Sequence, residues 1–194
     1  MTWKLLALSI RSSQIRLLLN PFGSSLVLTI VLRFAHVFCG ALWVGMMTFQ
    51  VFFLTPALTE MGPDAGKVMA GMMKRRLPVI MPIIALIAIV SGFWLFQRMS
   101  GGSMAALMAT PMGQGFAWGG AIALLAFLIG IVVMRPAMMK SMKLMAEITS
   151  APPPQRSGMQ AEVQKLRARA TVLGNVVTVM LLLTLGLMAV ARYR

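Results

Sequence analysis

Arg33, His36, Cys39 and Trp43 follow one another at helical spacing within RFAHVFCGALWVG, and His36 is the only histidine in the chain. Residues three, four and seven apart share one face of a helix. Arg33, His36, Cys39 or Gly40, Trp43, Met47 and Gln50 therefore form a single stripe, while Phe34, Ala35, Val37, Phe38, Leu42 and Val44 occupy the remaining positions. An ionisable side chain inside an apolar segment costs roughly 2.5–3.5 kcal/mol on insertion scales, which makes it a functional candidate. His36 could ligate haem iron or copper through a neutral ring nitrogen, and Arg33, one turn away, could pair with a propionate or a lipid phosphate. An alternative is purely structural. His36 could hydrogen-bond across a helix bundle to Asn175, Thr178 or a backbone carbonyl, with Arg33 reaching back to the membrane surface.

The rest of the chain supplies the apolar setting. Of 194 residues, 59% are hydrophobic, with four acidic residues against eighteen basic ones and a formal net charge of +14. Mean hydropathy is +0.85, unlike a soluble domain. The charges fall between long apolar runs, so they point to anionic lipid headgroups as partners and away from nucleic acid. One cysteine, Cys39, excludes an internal disulfide and a Cys/His zinc arrangement.

A spanning helix needs about twenty mostly apolar residues. Four such runs occur, at about residues 26–54, 77–97, 116–134 and 171–191, and they predict an all-α, polytopic membrane protein built as a four-helix transmembrane bundle over 23–194. Residues 1–22 carry too short an apolar core for a signal peptide and predict an interfacial helix instead, with a turn at Asn20–Gly23 leading into the first span. Residues 135–169 predict a helical hairpin: 137–148 prolong the third helix, the prolines of 150–158 break it, and a helix resumes near Met159, with Ser157 as its cap. Residues 100–115 read as a flexible or partly re-entrant loop with one helical fragment at most.

Four spans put both termini on one side. Six Lys and Arg residues fall on that side and eleven in the opposite loops, Arg33 being counted with neither. The positive-inside rule then places the loops in the cytoplasm and both termini outside. The basic N-terminal segment argues the other way. The small-residue pairs Gly115/Gly119 and Ala41/Gly45 predict close helix contacts, and Asn175 is a candidate partner for the histidine stripe. Twenty methionines, among them Met134, Met138, Met142 and Met145 at helical spacing, suit soft Cu(I) but also ordinary packing.

Residues 33–58, RFAHVFCGALWVGMMTFQVFFLTPAL, resemble the first-helix signature of small bacterial membrane proteins related to the copper resistance protein D family. The pattern is also similar to the first helix of four-helix, haem-associated protoporphyrinogen oxidase and of membrane-anchored urate oxidase domains. The resemblance implies that His36 occupies the position of the histidine used by haem-binding relatives, with Trp43, Val44 and Gly45 as the accompanying motif, and that haem b or copper is the cofactor. Relatives that handle haem usually supply further intramembrane histidines or a lysine in later helices. This chain has neither, so bis-histidine ligation within one chain is excluded. A single axial ligand, a ligand from a partner chain, or a scaffold without cofactor remains. The functional expectations are a haem- or copper-handling protein, a non-enzymatic accessory subunit of a larger membrane complex or homo-oligomer, and, third, a porphyrinogen oxidoreductase whose acid–base chemistry would rest on His36 alone.

Overall fold

The computed structural model describes the backbone of residues 21–148 and 150–193, and no strand occurs among them. The proposed interfacial segment, residues 1–20, lies outside the described residues. Helix α1 (Pro21–Phe49) passes through a π-turn (Gln50–Leu54) into α2 (Thr55–Glu60); α3 (Ala65–Lys74) and α4 (Leu77–Met99) follow. A single-turn helix, α5 (Met104–Met108), precedes α6 (Pro111–Ile129), which runs through a second π-turn (Gly130–Met134) into α7 (Arg135–Ile148). Helix α8 (Pro153–Ala191) completes the chain.

Four continuous helical stretches are long and apolar enough to cross a bilayer: Ser25–Glu60, Leu77–Met99, Pro111–Ile148 and Pro153–Ala191. Only 11–28% of each most apolar window is buried within the protein. Phe34, Val37, Phe38, Trp118, Val132 and Leu183 are more than half exposed, a distribution that suits hydrocarbon and not water. The protein is a polytopic helical membrane protein. Helix α4 sets the scale, because its 23 residues measure about 34 Å, close to the ~30 Å hydrocarbon thickness. The other three stretches exceed that length and project beyond the slab on the side of the 55–76 and 135–170 connections, here termed the loop face. The opposite side, where α8 ends, is the terminal face.

The bundle is a pair of helical hairpins. Helix α1 packs most extensively along α4, and α6 along α8, with lesser contacts between the hairpins through α4–α6 and α1–α8. Small residues permit the close approach. A Cβ on Gly115 would lie 2.7 Å from that of Ala191, and one on Gly119 would meet Met188 Cγ at 3.1 Å. Trp43, Met47, Ala85, Ala123, Ala126, Val177 and Leu181 form the core where the hairpins meet. Trp43 stands edge-on to Phe127, ring centroids 6.2 Å apart.

Several boundaries differ from the sequence expectation. The chain is helical at Pro21–Gly23, where part of the turn of 20–23 was expected. The third span begins at Pro111, with Thr110 accepting a hydrogen bond from the amide of Gly113. The expected flexible loop of 100–115 is thereby reduced to a capped turn of helix whose Leu107 is buried. Helix α8 starts at Pro153 and not near Met159, so Ser157 lies inside the helix. The prolines that end α7 occupy the first turn of α8, where a missing N–H is harmless.

The π-turns have no sequence mark, yet they meet at one residue. A Cβ on Gly174 of α8 would lie 3.5 Å from Val51 in the first π-turn and 3.7 Å from Met134 in the second. The two turns thus sit at one level of the bundle, near the loop-face boundary of the slab.

Candidate functional site

The histidine stripe is directed as its spacing implies, with one departure. Trp43 and Met47 are buried, His36, Cys39, Gly40 and Gln50 are half-buried, and Arg33 is exposed. Arg33 has no hydrogen-bond partner among the described residues. Trp43 packs against α6 and is separated from His36 by two helical turns, so it supports the bundle and does not line the imidazole.

His36 is held by α4. Its Nδ1 lies 2.7 Å from the carbonyl oxygen of Ala88. A carbonyl only accepts, so Nδ1 carries the proton and, in a neutral ring, Nε2 carries the lone pair. The same carbonyl also accepts from the Ser91 hydroxyl at 3.1 Å. The ring rests on Gly92, where a Cβ would lie 2.6 Å from Cε1 and 2.7 Å from Nδ1. Nε2 has no partner among the described residues. Among the described residues no fully buried side-chain nitrogen or oxygen lacks a hydrogen bond, and His36 as a whole is half-buried. Ala88 and Gly92 lie ten and six residues before Arg98, about 15 and 9 Å along the helix, which places the imidazole well inside the slab. Arg33 is about 4.5 Å nearer the terminal face.

The partner was one of the expected kinds, a backbone carbonyl. Asn175 is exposed on α8 and is not the partner of His36, and the buried Thr178 hydroxyl instead makes a long 3.5 Å contact with the carbonyl of Met47. Ala88, Ser91 and Gly92 were not singled out in the sequence. Their signal was present as a small-xxx-small pair, Ala88 and Gly92, in the second span.

A backbone carbonyl on Nδ1–H fixes the tautomer and orients the ring, the usual second support of a metal-bound histidine. Gly40, one turn along α1, is half-buried, and a Cβ there would meet nothing within 4 Å. The hydrogen bond to Ala88 leaves Nε2 as the one ring nitrogen of His36 with a lone pair to offer a ligand. Among the described residues no group of three or more His, Cys, Asp or Glu side chains could hold a metal ion, so a copper ion would have to draw on methionine thioethers. Met138 and Met142 are half-buried along α7 and Met145 is exposed, all in the hairpin on the loop face and remote from His36.

No protein-family model, curated protein or solved structure matches the chain.

Proposed function

We propose that this protein carries a haem-type group in the membrane, with His36 Nε2 as its single axial ligand from this chain and Arg33 as the partner of an anionic edge group. The observation that carries the reading is the Nδ1–H bond to Ala88, which orients the ring and leaves the Nε2 lone pair without a partner among the described residues. The exposed Arg33 guanidinium lies one turn toward the terminal face, where it would pair with a propionate. When bound, the group would supply redox or ligand-carrying chemistry; this chain's residues orient it and keep it in a water-poor layer. Its place is the resemblance-derived role of a copper resistance protein D-like membrane protein, in a bacterial inner membrane with the basic loop face in the cytoplasm.

Titration of the detergent-solubilised protein with hemin tests this. Wild-type protein is expected to develop a Soret band saturating at one equivalent, His36→Ala to lose it, and Arg33→Ala to weaken it. An identical titration with His36→Ala contradicts the assignment.

A second reading, an accessory subunit of a larger membrane complex, is favoured by the α7–α8 hairpin. It projects beyond the slab, is tied by an ion pair between Lys140 and Glu162 and by the buried Ser141 and Val163, and exposes basic side chains for a partner. Shortening the hairpin at 150–158 should release co-purifying proteins if that reading holds, and leave the hemin titration unchanged.

A further inference from the structure

The seam between α1 and α4 has a second feature, on the opposite side of His36 from Gly40. A groove of about 330 Å³ runs there, lined by Leu32 and Ala35 from α1 and by Leu86, Val90, Ser91 and Trp94 from α4. Its lining is wholly apolar, because the Ser91 hydroxyl is turned back onto the carbonyls of Ile87 and Ala88. Trp94 and Leu86 lie four and twelve residues before Arg98, so the groove extends from about 6 to about 18 Å below that arginine. That interval matches the depth of the acyl chains of one leaflet, half of a ~30 Å hydrocarbon core.

Arg98 stands over the mouth of the groove. It is on the same face of α4 as Trp94, and its Nη2 donates to the Ser25 carbonyl at 3.0 Å and to the Ser25 hydroxyl. The bond anchors the guanidinium across the seam, while Nε and Nη1 have no partner among the described residues. No Asp or Glu side chain balances it, since Glu60, Asp64, Glu147 and Glu162 all belong to the loop face. An anchored guanidinium with unused donors is a phosphate ligand.

We propose that the α1–α4 seam binds one anionic phospholipid of the terminal-side leaflet, with an acyl chain in the Leu32–Trp94 groove and its phosphate on Arg98. The site stands independently of any haem at His36. It shares with it only the short stretch Ala88–Gly92.

The test is native mass spectrometry of the full chain released from bilayers of equal phosphatidylglycerol and phosphatidylcholine. Wild type is expected to retain one phosphatidylglycerol. Arg98→Gln, at an exposed position, should lower that retention about tenfold, the scale of one lost charge-assisted contact. Ala35→Phe should abolish it by filling the groove, and Arg76→Gln on the loop face should leave it unchanged. Thermal melting by circular dichroism establishes that each variant is folded. Equal retention of the two lipids by wild type, or unchanged retention in Arg98→Gln, overturns the proposal. So does a dimer that Ala35→Phe dissolves, which would give the groove to a second copy of the chain.

Discussion

The imidazole of His36 lies on the bare backbone of Gly92, so close that a Cβ at position 92 would stand 2.6 Å from Cε1. The glycine is what lets an α4 carbonyl reach Nδ1, and through it the ring is aimed. Gly92→Ala should therefore displace the ring, break the bond to Ala88 and destabilise the bundle by about 1–3 kcal/mol, the range for overpacking. Gly120→Ala, where a Cβ meets nothing within 4 Å, should instead gain up to about 1 kcal/mol of helix propensity. Unfolding in mixed detergent–denaturant series would separate the two. Similar behaviour of both variants would contradict the close contact.

The two π-turns converge on Gly174, and the contacts there are ordinary in length. Gly174→Ala should be tolerated or slightly stabilising, by up to about 1 kcal/mol. Gly174→Leu should push Val51 and Met134 apart and cost about 1–3 kcal/mol. Melting temperatures of the pair provide the check. A well-tolerated leucine would show that the turns do not meet there.

Arg76 adopts φ 56° and ψ 24° at the start of α4, a left-handed conformation that burdens a side chain with Cβ by about 1–2 kcal/mol. Arg76→Gly should relieve that strain and raise stability by about 1 kcal/mol. Arg75→Gly, next to it at φ −82°, should not. Paired thermal melts decide between these outcomes.

The four spans were legible because hydrocarbon thickness fixes the length of an apolar run, and the runs at 77–97 and 171–191 lie within α4 and α8 as observed. The direction of the histidine stripe was legible too, since the exposed Phe34, Val37 and Phe38 alternate with the buried Trp43 and Met47 at helical spacing. Helix ends were less so. The extension of the third helix over 137–148 was expected and is present as α7, but α2 and the start of α8 also continue as helix outside the slab, and Pro153 and Pro154 serve equally well to stop one helix or to begin the next. QVFFL and GIVVM contain nothing that distinguishes a π-turn from an α-helical one. The partner of His36 was hidden for a different reason. A backbone carbonyl has no side-chain signature, and only the small residues Ala88 and Gly92, which admit the imidazole, leave a trace in sequence.

The central claim is that Nε2 of His36, oriented by Ala88, ligates a haem-type group. Its most direct measurement is the visible absorption spectrum of the protein purified from membranes, oxidised and dithionite-reduced, with metal analysis, beside His36→Ala. A Soret band with stoichiometric iron that is lost in a folded His36→Ala variant is the predicted result. A band of equal intensity in that variant, or a colourless and iron-free wild-type protein that also fails to take up hemin, would contradict it.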